Sequence, residues 1–319
     1  MARILPVEEL RLLSKVSKLY YEEGLNQDDI VVKLQLSRSK ISRLLKQARE
    51  EGIVKITVNS PPGIYADLET RLENQYGMRE VIVVEVSDAD SQDIVSRELG
   101  VAAAAYLLRT IREKDLIGIS WGSTLRSMVN AVQAHAVPEA HIVQIIGGLG
   151  RPESETHATD LCRRLSRLLS CRLTLLPAPG IVANLQAKQA MLSDIYLQRA
   201  LDLLPKLTVA YVGIGSPTPD SVMIRDGNII SKPELDDLLA KGAVGDIALH
   251  FFNRDGEMVS SDIDQRVIGI SMEQLSKLER VVGAAGGPQK VNVVRGALCG
   301  KLINVLITDQ VTAAQLVEK

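Results

Sequence analysis

The sequence predicts an α/β protein in two parts, an N-terminal winged helix-turn-helix head over residues 1–60 and a doubly wound, parallel-sheet body over residues 61–319. Three observations lead there. From residue 66 onward, short Val/Ile/Leu runs alternate with helix-period segments, the β-then-α order of a parallel sheet covered on both faces. Only 3% of the residues are aromatic while 46% are hydrophobic, so the core has to be aliphatic, as doubly covered strands require. The charges divide unevenly: 11 Lys/Arg stand against 8 Asp/Glu up to Ser60, and 26 against 31 beyond it, so a net charge of −2 hides a +3 head and a −5 body. Between them Asn59-Ser60-Pro61-Pro62-Gly63 forbids a continuous helix and marks the boundary.

The head reads as three helices and a strand. Leu12, Leu13, Val16, Leu19 and Tyr20 give a helix over 8–22 its apolar side, and Gly24 stops it. Asn26 caps a second helix from Gln27 to Leu34, with Asp28 and Asp29 at its positive end. Ser37 caps a third through Glu50, without a capping box because Lys40 holds the third position. In that helix Ile41, Leu44, Leu45 and Ala48 recur at i, i+3, i+4 and i+7 and form the core stripe. Ser39, Arg43 and Lys46 then face away from it, flanked by Arg38, Lys40 and Ser42.

A lone basic helix more often merely solvates a bundle. Here it follows a short helix and a three-residue turn, which suits the major groove of double-stranded DNA. Arg38, Ser39, Ser42 and Arg43 are the candidates for base edges, and Lys40 and Lys46 for phosphates. Glu50 and Glu51 take the far end of the helix away from the duplex, and the alternation over 53–58 predicts a wing strand.

In the body, a connecting helix over 66–76 precedes a strand at 81–84, a helix over 91–110 and a strand at 116–120. A helix from Ser123, a strand at 141–146, a helix over 156–169 and strands at 173–176, 209–212, 281–284 and 303–307 continue the pattern. Gly-rich turns follow these strands: Gly122-Ser123-Thr124, Gly147-Gly148-Leu149-Gly150, Gly213-Ile214-Gly215-Ser216 and Gly286-Gly287. The carboxyl ends of parallel strands line the ligand crevice, and there Gly lets backbone amides approach an anion. The expected ligand is therefore a small anion. Gly122, Ser123, Thr124, Gly147 and Gly148 are expected around it, with Asp246 for ligand hydroxyls and Lys290 to neutralise a phosphate. Read singly, Ser123-Thr124 and Asp246 are as often helix or turn caps, and Lys290 an ordinary surface cation. Trp121 either covers a sugar face or packs beneath the crevice, and Phe251-Phe252 fills core beside a turn at Asp255-Gly256.

Other function classes fare worse. Cys162, Cys171 and Cys299 make neither a paired framework nor a zinc spacing, which fits a reducing cytoplasm. No stretch of 18 apolar residues and no signal-like start occurs, so no membrane segment is expected. Gly118-Ile119-Ser120-Trp121-Gly122 has the nucleophile-elbow spacing without a matching His/Asp pair, and Gly213-Ile214-Gly215 lacks the rest of a dinucleotide fingerprint. His135, His141, His157 and His250 form no metal-ligand pattern. No cofactor, no metal and no catalysis are expected.

Several strings resemble the SorC family of bacterial sugar-responsive transcriptional regulators, and they span the chain. In the head they are Ser17-Lys18-Leu19-Tyr20-Tyr21, Gly24-Leu25-Asn26-Gln27, Leu36-Ser37-Arg38-Ser39-Lys40-Ile41-Ser42-Arg43-Leu44-Leu45 and Glu51-Gly52-Ile53-Val54. In the body they are Ser120-Trp121-Gly122-Ser123-Thr124, Ile146-Gly147-Gly148, Val212-Gly213-Ile214-Gly215, Gly242-Ala243-Val244-Gly245-Asp246 and Ala285-Gly286-Gly287-Pro288-Gln289-Lys290. The resemblance implies a body similar in fold to glucosamine-phosphate isomerases but used to bind a phosphorylated sugar. It places Gly122, Ser123 and Thr124 in the phosphate loop, Asp246 on the sugar-hydroxyl side and Lys290 on the phosphate side. It also implies a homotetramer, a dimer of dimers, on operator DNA. The chain departs at one position: Ile146 stands where some relatives carry Arg before the middle Gly pair. The alternative is a sugar-phosphate isomerase or lyase carrying a DNA-binding-like head, which predicts turnover.

Overall fold

The computed structural model describes residues 6–57, 59, 61–149, 158–218 and 230–318. The chain divides into two compact units, Met1–Ser60 and Pro61–Lys319.

The first unit holds α1 (Val7–Tyr21), α2 (Gln27–Leu34) and α3 (Arg38–Glu50). Gly24, at φ +70°, ends the first helix in the left-handed conformation that glycine adopts without strain. Asn26 accepts from the amides of Asp28 and Asp29, and the Asp29 carboxylate accepts from the Asn26 amide at 3.1 Å, a complete capping box. Gln35 turns left-handed at φ 55°, and the Ser37 hydroxyl then caps α3 by accepting from the Lys40 amide at 3.3 Å. Leu13, Val16, Leu19, Ile30, Ile41, Leu44, Leu45 and Ala48 are buried together as the unit's core. The wing strand expected at 53–58 is not formed over 53–57, and Val58 lies outside the described residues. A strand needs a second extended segment to take its amides and carbonyls, and among the described residues of this unit only helices occur as regular elements.

In the second unit α4 (Ala66–Tyr76) leads into β1 (Glu80–Val84), α5 (Gln92–Thr110), β2 (Leu116–Ile119), α6 (Ser123–Ala131), β3 (His141–Gln144), α7 (Ala158–Leu168) and β4 (Arg172–Thr174). Two short helices, α8 (Leu185–Leu192) and α9 (Ile195–Leu201), precede β5 (Val209–Gly213). Then come α10 (Lys232–Ala240), the hairpin of β6 (Gly245–Ile247) and β7 (His250–Phe252), and α11 (Met272–Ser276). The unit closes with β8 (Arg280–Ala284), α12 (Val291–Cys299), β9 (Val305–Asp309) and α13 (Gln310–Val317).

Seven strands form one parallel sheet in the order β1-β9-β8-β5-β2-β3-β4. Alternate residues of each strand feed two separate cores. Ala210 and Val212 join Val81, Val83, Val143, Val281 and Leu306 on one face, against α4, α10, α12 and α13. Val209 and Tyr211 join Ile117, Ile119, Ile142, Val282 and Val305 on the other, against α5, α6 and α7. Both faces are thus covered, which is why the strands read as continuous apolar runs. The last strand begins two residues later than the apolar run suggests. Asn304 uses its side chain to accept from the Val281 amide at 2.8 Å and to donate to the Glu279 carbonyl at 3.0 Å, so it trims the start of the strand.

Candidate ligand crevice and nucleic-acid interface

The chain runs from β2 through β3 to β4 in one direction across the sheet. It then returns to place β5 on the other side of β2, and β8 and β9 continue outward. Strand order reverses between β2 and β5. In open α/β sheets such a reversal opens a crevice at the carboxyl ends, because the two connections leave on opposite faces. The loops after β2, β5 and β8 sit at that edge and bring together much of what the sequence singled out.

After β2, Gly122 adopts φ +129° and caps α6 without a side chain, and a Cβ there would meet only open space. No side chain therefore caps the first amides of α6, and the positive end of the helix lies behind them. Ser123 begins the helix half-buried. Thr124 is 7% exposed and its hydroxyl donates to Ser96 of α5 at 3.5 Å, so that hydroxyl is engaged within the fold.

After β5, Gly215 and Asp246 of the hairpin exchange backbone hydrogen bonds of 2.9 and 3.0 Å. A Cβ on Gly215 would lie 2.0 Å from Asp246 Oδ1, so only glycine at 215 allows the carboxylate its position. Asp246 is 3% exposed; Oδ2 accepts from the Leu249 amide at 3.2 Å while Oδ1 has no partner. Burial pushes this carboxyl up to about 6, opposed by the Leu249 amide and by the charges of Lys290 and His250.

After β8, Lys290 ends a short turn and donates from Nζ to the Ile214 carbonyl at 2.8 Å. Its desolvation lowers the ammonium pKa, and the nearby Asp246 charge counteracts this. Asp246 is thus held out of water and Lys290 partly so, each with the other as partial compensation.

The structure engages the amides of Gly147 and Gly148, expected beside the ligand, within the fold. Gly147 donates to the Ile268 carbonyl at 3.0 Å and Gly148 to the Ala178 carbonyl at 2.8 Å, so both are committed to backbone pairing. Their small size is used for packing: a Cβ on Gly147 would lie 2.6 Å from the Ala178 carbonyl oxygen. Gly150 lies outside the described residues. Trp121 packs against the core beneath the loops, Ser120 of the elbow-like string is 1% exposed, and Phe251 and Phe252 are fully buried beside the turn at 253–257. Among the described residues no cluster of three or more His, Cys, Asp or Glu side chains is arranged to hold a metal ion, and no helix is long and apolar enough to cross a membrane.

Sequence reasoning named Gly215 only as part of a Gly-rich turn, and missed Gln92 and Ser96. The last two lie in α5, whose cap and apolar positions announce only a helix. The signal for Gly215 was its place in a Gly-rich turn, but its partner is 31 residues away, in a hairpin that the sequence reading did not contain.

In the head, Arg38, Ser39, Lys40, Ser42, Arg43 and Lys46 are all exposed on α3. The Arg43 side chain reaches back to the Ser39 carbonyl at 3.4 Å, and Ser39 Oγ lies 3.2 Å from Ser37 Oγ. Arg38 pairs with Asp28 at 3.6 Å and Lys46 with Glu50 at 3.7 Å, all four side chains more than half exposed. Such pairs contribute little and exchange readily for phosphate.

Comparison with known proteins agrees with this architecture. The family model described as "Putative sugar-binding domain" matches residues 61–318. The deoxyribonucleoside regulator of Bacillus subtilis is 32% identical over 310 residues, covering 97% of this chain and 98% of that protein. The sorbitol operon regulator of Klebsiella pneumoniae is 32% identical over 317 residues, covering 98% of this chain and 99% of that one. The crystal structure of the full-length sorbitol operon regulator SorC from Klebsiella pneumoniae superposes with a TM-score of 0.74 at 30% identity, over 97% of this chain and 99% of that one. Head and body both match, so this chain belongs to the SorC family of transcriptional regulators and is a regulator rather than an enzyme.

Proposed function

We propose that the body binds a phosphorylated sugar in the crevice between the β2 and β5 loops, and that occupancy changes the affinity of the heads for operator DNA. The observation that carries this reading is Asp246 Oδ1, a buried acceptor without a partner, near Lys290 at the reversal of strand order. Leaving such an acceptor unsatisfied costs about 1–3 kcal/mol, which a ligand hydroxyl recovers on binding. Gly122, Ser123 and the Thr124 amide then face the phosphate, and Lys290 supplies charge. No cofactor takes part. The protein works in the cytoplasm as a homotetramer, a dimer of dimers, because paired heads address symmetric half-sites that one short helix reads too weakly. The sugar shifts the balance between body arrangements and thereby the operator affinity.

The test is a titration of phosphorylated and unphosphorylated sugars into the full-length protein with its operator present, following sugar uptake, DNA release and product formation together. Saturable uptake coupled to a change in DNA affinity, with the sugar recovered unchanged, supports the reading; turnover without DNA coupling overturns it. Two variants sharpen it. Arg43→Ala is expected to weaken operator binding by about 1–3 kcal/mol if it reads a base, and unchanged affinity removes it from the interface. Gly215→Ala is expected to displace Asp246 and to cost roughly tenfold or more in sugar affinity while the heads still bind DNA, since a lost hydrogen bond of this kind is worth about 1–3 kcal/mol; calorimetry and operator gel shifts read the two effects separately.

A further inference from the structure

Gln92 and Ser96, one turn apart on α5, link two of the crevice loops. Gln92 Nε2 donates to Ser96 Oγ at 3.5 Å and to the Gly286 carbonyl at 3.4 Å. Thr124 Oγ1 donates to the same Ser96 oxygen at 3.5 Å, and Ser123 Oγ lies 3.4 Å from it. A serine hydroxyl has two lone pairs and one proton. With both lone pairs of Ser96 taken by Gln92 and Thr124, its proton has Ser123 Oγ as its recipient. Ser123 accepts on that side, and its own proton is left for another partner. Ser96 is 4% exposed, so bulk water does not compete for these positions.

The contact depends on how closely the two helices approach. A Cβ on Gly100, four residues beyond Ser96, would lie 2.4 Å from the Cβ of Ser127, four residues beyond Ser123. Only a residue without a Cβ lets α5 and α6 run side by side at this separation. In the described part of the loop after β3, Ile146 is buried and the Gly147 and Gly148 amides are committed to backbone pairing.

We infer that Gln92 and Ser96 are positioning residues of the crevice: they hold the Ser123 hydroxyl as a donor, so that the loop after β2 selects an anionic phosphoryl group over a neutral hydroxyl. This rests on the phosphorylated-sugar reading above. A free serine hydroxyl can turn to accept from a sugar hydroxyl as readily as it donates to a phosphate; one that already accepts from Ser96 is biased to donate.

Inorganic phosphate is the probe, titrated calorimetrically into the full-length protein and into Ser96→Ala, Gln92→Met, Ser123→Ala and the Ser96→Ala/Ser123→Ala pair. Ser96→Ala and Gln92→Met are each expected to weaken phosphate roughly tenfold, with operator affinity of the unliganded protein unchanged. Ser96→Ala should add nothing in the Ser123→Ala background, because its effect acts through that hydroxyl. A merely structural role would make the two losses multiply, and that result overturns the inference. So does wild-type affinity in both Ser96→Ala and Gln92→Met; Gln92 is exposed, so its variant remains informative if the buried one folds poorly. Failure of the unaltered protein to take up phosphate is a different result: it overturns the phosphorylated-sugar reading and this inference with it.

Discussion

Asp246→Asn is expected to yield a protein that is more stable without ligand and poor at binding its sugar. The carboxyl is buried and raised from 3.8 to about 6, so the folded state holds its proton more tightly than the unfolded chain does. Stability from this group is therefore fully present below about pH 3.8, falls as pH rises through about 6, and is absent at neutral pH. An uncharged amide escapes that loss. Urea denaturation at pH 7.5 should show Asp246→Asn roughly 1–3 kcal/mol more stable than the parent, and the gap should close as pH falls towards 4. Destabilisation at pH 7.5 would mean that the carboxylate is already satisfied in the unliganded protein.

Binding should move the other way. Oδ2 accepts from the Leu249 amide, so the carbonyl oxygen of Asn takes that place and its NH₂ falls where the unpartnered Oδ1 was. An acceptor becomes a donor, and a ligand hydroxyl loses its recipient. The expected loss in sugar affinity is roughly 10- to 100-fold, the range for a buried polar mismatch. By the same logic, sugar binding to the parent should weaken as pH drops below about 6. A flat affinity between pH 5 and 8 would separate Asp246 from ligand recognition.

The second large effect lies at the opposite edge of the sheet. Asp115, just before β2, and Arg280, the first residue of β8, form an ion pair at 2.9 Å with both side chains 3% exposed. Asp115 also accepts from the Thr208 hydroxyl at 2.7 Å, just before β5, and from the Arg112 amide at 3.0 Å; Arg280 donates to the Thr110 carbonyl at 3.1 Å. One carboxylate therefore ties together the amino ends of the three strands whose carboxyl ends build the crevice. Removing it leaves a buried guanidinium without its counter-charge. Asp115→Ala should cost about 3–5 kcal/mol in urea denaturation, whereas Asp115→Leu combined with Arg280→Met should recover much of that, since an apolar pair avoids the desolvation cost of two ions. A loss below about 1 kcal/mol would mean that the pair behaves as a surface contact.

The sequence singles out Asp246 for ligand hydroxyls, but neither its burial nor the Asp115–Arg280 pair is visible in the chain read as a string. Asp115 and Arg280 are 165 positions apart, and nothing local marks them as partners. The head was far more legible. The Asn26 and Ser37 caps, the Gly24 stop and the Ile41-Leu44-Leu45-Ala48 stripe are local, and the structure contains each of them. Over 53–57 the wing strand is not formed, because alternation shows that a segment can be extended, not that a partner exists to pair with it.

The sequence by itself determined the seven strands of the body's sheet and its first four helices, the aliphatic double-faced core, the +3 and −5 division of charge, and the placing of glycines after strands. These depend on side-chain chemistry within a few residues. Strand order, and with it the crevice between β2 and β5, was decided only by the tertiary structure. So was the fate of three of the four Gly-rich turns: the Gly122 loop is left open, Gly147 and Gly148 are spent on backbone pairing, and Gly215 makes room for Asp246. The physical reason is that a hydrogen-bonding group is available to a ligand only if nothing else in the fold has claimed it, and its competitors are brought alongside from distant parts of the chain.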